Sequence, residues 1–199
     1  VHSIRILIIM IIIGVTLVTA IGLEAFSIFN TVKNNKTQTA AYRERLLADI
    51  QDELRHEVEI VYSLVDQFHE LQVSGALSED EAKTRAADIV RELRYDDGSG
   101  YFWIDTTEGD NVVLLGRDTE GTNRYDAVDP NGVKYIQEIL NAGMQSGGGY
   151  AYFSFAKPDE TEPLPKMSYS LEYEPYEWVI GTGVWLDHID ELEAEYTQV

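Results

Sequence analysis

Ile6 to Leu23 is an uninterrupted run without a charge, built mainly from Ile, Leu and Val. No other feature narrows the fold as much, because roughly 20 apolar residues in a row span the hydrocarbon core of a bilayer. The run is longer than the apolar centre of a secretory signal peptide, although Val18 and Ala20 offer a small-residue cleavage pattern. It therefore reads as an uncleaved anchor, with a cleaved signal as the alternative. Only Arg5 precedes it, while Lys33 and Lys36 follow. Loop charge alone thus leans against an orientation with the following domain outside.

The chain's 199 residues allow one such segment and one domain of ordinary size, and leave too little for two globular cores. With 35 acidic against 15 basic residues, the formal net charge is −20. That excess repels nucleic acid and opposes docking on anionic lipid headgroups. A cation held inside such a chain invites a functional reading. With no cysteine there is no disulfide framework, thiol nucleophile or thiolate metal site.

From Ala40 to Leu71, apolar side chains recur at three- and four-residue spacing through Tyr42, Leu46, Ile50, Leu54, Val58, Val61, Val65 and Phe68. This predicts one long helix continuous with the apolar run. Gly75 breaks it. Ser78 with Glu81 forms a capping box that opens a second helix through Ala82, Ala86, Ile89, Val90 and Leu93. Beyond the Asp96 to Gly100 turn the period becomes strand-like. Tyr101 to Ile104 and Val112 to Leu115 form a predicted hairpin. Asp129 and Pro130 then read as the cap and first position of a short helix from about Val133 to Met144.

Three further strands are expected, Tyr150 to Phe155, Lys166 to Tyr173 and Glu177 to Trp185, with Pro158 to Pro165 as a loop. The expected fold class is α+β: an N-terminal transmembrane helix, then a long helix and a second helix packed on one side of a five-stranded antiparallel sheet, in two layers. Residues 1–30 form the anchor and flank, and 31–190 the domain. Leu186 to Val199 is helix-compatible, with Ile189, Leu192 and Tyr196 on one face, and residues 191–199 are expected to start the helix leading to a second membrane span.

Several segments together resemble a known family. They are Arg94-Tyr95, Gly100 to Asp105, Asp129 to Gly132, Gly148 to Tyr150, Pro165 to Tyr169 and, most specific, Trp178 to Asp190 with its Trp-Val-Ile-Gly-Thr-Gly core. Roughly residues 36–190 resemble the single-Cache type 2 domain, the PAS-like sensor of methyl-accepting chemotaxis proteins and some histidine kinases. The resemblance implies an extracytoplasmic sensor in the bacterial inner membrane, periplasmic and non-enzymatic, that binds a small molecule such as a short-chain carboxylate. It passes the signal through its terminal helices and is expected to form a homodimer. A kinase sensor ectodomain and a ligand-free dimerisation or partner-binding ectodomain are the alternatives. One departure stands out: where family members often carry His-Pro at the end of the second strand, this chain has Leu115-Gly116. Arg117, next along, is the candidate substitute.

A buried carboxylate needs charge-assisted hydrogen bonds to offset several kcal/mol of lost hydration. Arg94, before the first strand, could present a planar fork, or could serve as a helix-terminal cation beside Asp96 and Asp97. Lys166 is an isolated cation in a strand, where the resemblance favours a ligand role. Tyr101 and Trp103 share one face of their strand, opposite Phe102 and Ile104, and either pair could be core. The resemblance puts Tyr101 and Trp103 in the pocket. Ser168 and Tyr169 face opposite sides, and Tyr169 is chosen for its hydroxyl on an aromatic stem. The ligand set expected is thus Arg94, Tyr101, Trp103, Lys166, Tyr169 and Arg117, with no cofactor, metal or catalytic residue. The histidines His2, His56, His69 and His188 lack metal-ligand spacing. Gly147 to Gly149 lacks the Lys-Ser or Lys-Thr of a phosphate loop.

Overall fold

The computed structural model describes residues 2–158, 160–187, 189 and 192. Helix α1 runs unbroken from His2 to Val73, 72 residues, or about 108 Å at the usual rise. Its apolar N-terminal part stands free of the rest, and it is the one helix among the described residues long and apolar enough to cross a membrane. Toward its C-terminal end Leu54, Val58, Val61 and Val65, spaced four, three and four, are buried. Helix α2 (Glu79–Glu92) opens on the capping box read from the sequence: the Glu81 amide donates to Ser78 Oγ (3.3 Å) and the Ser78 amide to Glu81 Oε2 (3.0 Å).

Strands β1 (Arg94–Tyr95) and β2 (Gly100–Tyr101) form a small two-stranded sheet. The main sheet holds β3 (Trp103–Thr106), β4 (Asn111–Leu114), β5 (Gly149–Ala156), β6 (Pro163–Tyr173) and β7 (Trp178–Trp185). Its order is β4-β3-β7-β6-β5 and every pairing is antiparallel. The loop expected over Pro158 to Pro165 is shorter than the sequence implied, because Pro163 to Pro165 already pair with Ser154 to Ala156.

Two apolar clusters lie on opposite faces of the sheet. On one, α1 and α2 pack against Phe102, Ile104, Met167, Tyr169, Tyr173 and Ile180. On the other, helix α3 (Tyr135–Gly143) packs through Ile136, Ile139 and Leu140 against Tyr101, Trp103, Phe153, Val179 and Trp185. The expected two-layer sandwich with all helices on one side is therefore corrected to three layers. A sheet whose central strand is apolar on both sides needs cover on both, and β7 is buried along nearly its whole length. Asp129 also differs from expectation. It does not cap α3; its carboxylate accepts from the amides of Asn131, Val133 and Ser154, tying the connection to β5. Of the expected terminal helix, His188, Asp190, Glu191 and residues 193–199, including Tyr196, lie outside the described residues.

Candidate functional site

Strand alternation puts Lys166 on the α3 face of β6, between Trp185 of β7 and Phe153 of β5. The residue is 1% exposed. Its Nζ donates to the Tyr101 hydroxyl at 3.0 Å and stands 4.1 Å from the Trp185 ring centroid, 4.4 Å from Tyr101, 5.1 Å from Trp103 and 5.7 Å from Phe155. Two glycines of β7 make room for this arrangement. A Cβ on Gly181 would fall 2.6 Å from ring carbons of Trp103, and one on Gly183 would fall 3.0 Å from Lys166 Cε. The Gly-Thr-Gly of the closing motif is thus the floor on which the lysine stem and the indole lie. Thr182, between them, points the other way and shares a hydrogen bond with the Tyr95 hydroxyl.

Above this floor is a small, half-open cavity of about 20 Å³. Lys166, Tyr101, Trp103, Phe153 and Phe155 form one side; Leu114, Arg124, Tyr135, Ile136 and Ile139 form the other. That volume holds about one water. A larger guest would extend through its open side or displace a wall.

The cavity is rich in donors and poor in acceptors. Among the described residues no carboxylate pairs with Lys166. Burial holds its ammonium pKa well below the ordinary lysine value, and nearby Arg117 pushes it the same way. The surrounding rings favour the charged form but carry no net charge, so desolvation prevails. Burial also pushes the Tyr101 hydroxyl up to about 12, against the pull of Arg117 and Arg124. Arg124 Nη2 holds both oxygens of Asp105 at 2.6 and 2.7 Å. Burial raises the Asp105 pKa despite that guanidinium and the amide of Asn111. Two further donors on cavity residues, Trp103 Nε1 and Arg124 Nε, are buried with no protein partner among the described residues. Each unmet donor costs about 1–3 kcal/mol, which an acceptor entering the cavity could recover.

Lys166, Tyr101 and Trp103 therefore come together, and Arg117 stands at the edge with its guanidinium 5.6 Å from the Phe155 ring. Two expected members do not join them. Arg94 is exposed, and its Nη1 donates at 2.7 Å to the carbonyls of Arg91 and Leu93. It is a cation at the end of α2, the alternative its position allowed. Tyr169 lies on the α1 face, against Tyr150, with its hydroxyl donating to the Gly147 carbonyl at 2.6 Å. The alternation that put Lys166 toward α3 turned Tyr169 away. Arg124, Tyr135, Phe155 and Trp185 were not singled out by the sequence reading. Only Asp105 left a signal for Arg124, since it shares a face with Tyr101 and Trp103 and an acid there calls for a cation.

The five-stranded antiparallel sheet with a donor-lined cavity on its α3 face is the architecture of a PAS-like sensor domain. The profile described as "Single Cache domain 2" matches residues 46–198, and the chain belongs to that family. The methyl-accepting chemotaxis protein McpP of Pseudomonas putida is 28% identical over 148 residues, 74% of this chain; the chain spans about a quarter of that relative's length, 26%. The solved structure of a periplasmic sensor domain of a chemotaxis protein is 34% identical, with a TM-score of 0.68, over 71% of this chain and 99% of that one. A Cache chemosensory domain, described in terms of carboxylic acid recognition, shares the fold, with a TM-score of 0.68 and 24% identity over 72% of this chain and 97% of that one.

Proposed function

We propose that this chain is the extracytoplasmic sensing portion of a transmembrane chemoreceptor, anchored by α1, and that it binds a short-chain carboxylate in the cavity under α3. One observation carries the reading: Lys166 is buried in a cage of aromatic rings with no anion beside it among the described residues, in a chain that has 35 acidic residues to offer. An isolated ammonium at that depth costs several kcal/mol, which is why the empty site holds its proton weakly; a carboxylate partner would offset that cost. A guest carboxylate would supply it, together with an acceptor for Trp103 Nε1 or Arg124 Nε. The rings of Phe153 and Phe155 leave the guest's other end an apolar wall suited to a short alkyl chain.

The proposed role is sensing without catalysis. Occupancy favours one arrangement of the cavity walls, and the terminal helices carry the displacement to the membrane. The unbroken course of α1 from the apolar segment to the sheet supports that route, since a continuous helix moves as one body.

The test is thermal denaturation of the 199-residue chain in detergent with millimolar acetate, propionate or pyruvate, and with glycine or urea as controls. A ligand at 100 times its Kd adds about 2.7 kcal/mol. For a domain of this size that raises the Tm by roughly 5–11 °C. Short monocarboxylates should give such shifts and the controls none. No shift with any carboxylate, or equal shifts with the controls, overturns the reading.

A further inference from the structure

The cavity wall beyond β4 is held to α2 by one carboxylate. Leu114 ends β4 and lines the cavity. Leu115 and Gly116 after it both take left-handed backbone angles, φ 57° and 69°, and Arg117 follows at the cavity edge. Leucine in that conformation costs on the order of 1–3 kcal/mol, so something must hold it there. Glu120 Oε1 accepts from the amides of Leu114 (2.6 Å) and Gly116 (2.9 Å), spanning the strained residue. Its other oxygen accepts from Arg91 Nε at 2.8 Å. Arg91 stands at the last turn of α2, where its Nη1 also pairs with Asp88 at 2.6 Å.

This pair is partly shielded, with side chains 26% and 17% exposed. Burial alone would raise the Glu120 carboxyl, but the amides and Arg91 outweigh it and hold it below the usual range. Helix α2 in turn shares a core with α1, Ala86, Ala87 and Val90 packing in one cluster with Val58, Val61 and Val65.

A guest of several heavy atoms fills this space and bears on its walls, Leu114 among them. The floor is formed by central strands fixed on both sides by hydrogen-bond ladders. Leu114 belongs to an edge strand, laddered on one side only.

We infer that Glu120 is a positioning residue of the ligand site, holding the Leu114 to Arg117 wall in place and making that wall and the end of α2 move together. This rests on the reading that a carboxylate enters the cavity. Glu120→Gln weakens three charge-assisted hydrogen bonds at once, so acetate affinity falls about tenfold. Arg91→Met leaves the turn's own hydrogen bonds in place. It keeps acetate affinity within about twofold of wild type while disconnecting α2.

The experiment is amide hydrogen exchange across α2 in the 199-residue chain in detergent, with and without acetate, alongside calorimetric affinity. Wild type should show an acetate-dependent change in α2, and Arg91→Met should bind acetate without that change. A merely structural role would lower the Tm and leave the response in place. An Arg91→Met chain that keeps the full response overturns the inference. If wild type shows no calorimetric binding of acetate, the ligand reading fails, and the link is then read without ligand. Lys166→Met and Glu120→Gln, alone and combined, should change α2 exchange non-additively if the link exists; additive effects overturn it.

Discussion

Lys166→Met is the most informative single substitution, because it replaces a buried amine with an apolar side chain of similar reach. Two opposing effects follow from the structure. The variant removes the bond to Tyr101, leaving a buried hydroxyl without that partner at a cost of about 1–3 kcal/mol. It also removes an amine whose charge is desolvated and has no counter-ion among the described residues, so folding no longer carries the several kcal/mol of burying that charge or stripping its proton. Methionine fits the cage, since the thioether packs well against the rings of Trp185, Tyr101 and Trp103. Desolvation of charge outweighs one hydrogen bond, so the ligand-free variant should be more stable by about 1–4 kcal/mol. In a domain of this size that is a Tm increase of roughly 2–16 °C. The assay is differential scanning calorimetry near pH 7 with and without acetate. The empty variant should melt above wild type, and acetate should no longer raise its Tm. A variant that melts below wild type when empty, or still responds to acetate, refutes the claim that Lys166 is an unpaired cation awaiting an anion.

The lowered Lys166 pKa also fixes a pH dependence. Between the depressed folded pKa and the ordinary lysine value the unfolded chain holds a proton that the folded chain lacks, so empty-state stability should rise with pH across that window in urea titrations and lose the rise in Lys166→Met. Gly181→Ala puts a methyl 2.6 Å from the Trp103 ring and 2.7 Å from Ser170 Oγ; it should cost about 1–3 kcal/mol by chemical denaturation and weaken acetate binding. Arg94→Ala and Tyr169→Phe, both away from the cavity, should each leave acetate affinity by calorimetry within about twofold of wild type, with only the second losing about 1 kcal/mol of stability through the Gly147 bond.

Much of the fold was legible wherever the signal was local. The Ser78–Glu81 box, the apolar repeat of α1 and the strand-rich closing segment each depend on neighbours in sequence, and each stands where the sequence put it. The third layer was not legible, because the apolar stripe of Tyr135 to Gly143 says that the helix packs but not on which face of the sheet. In the site, Lys166 and Tyr169 stand an odd number of positions apart on one strand. Alternation already forbids them a common wall, so choosing both was inconsistent with the strand they share. Arg124 was hidden for another reason. It sits in an irregular stretch with no period, and only the fold brings it to Asp105, far back along the chain.

A crystal structure of the domain grown with propionate would test the central claim most directly. The account predicts the carboxylate within hydrogen-bonding distance of Lys166 Nζ, the ethyl group against Phe153 and Phe155, and the segment after Leu114 displaced outward. Propionate bound elsewhere, with the Lys166 cage closed and unchanged, would contradict it.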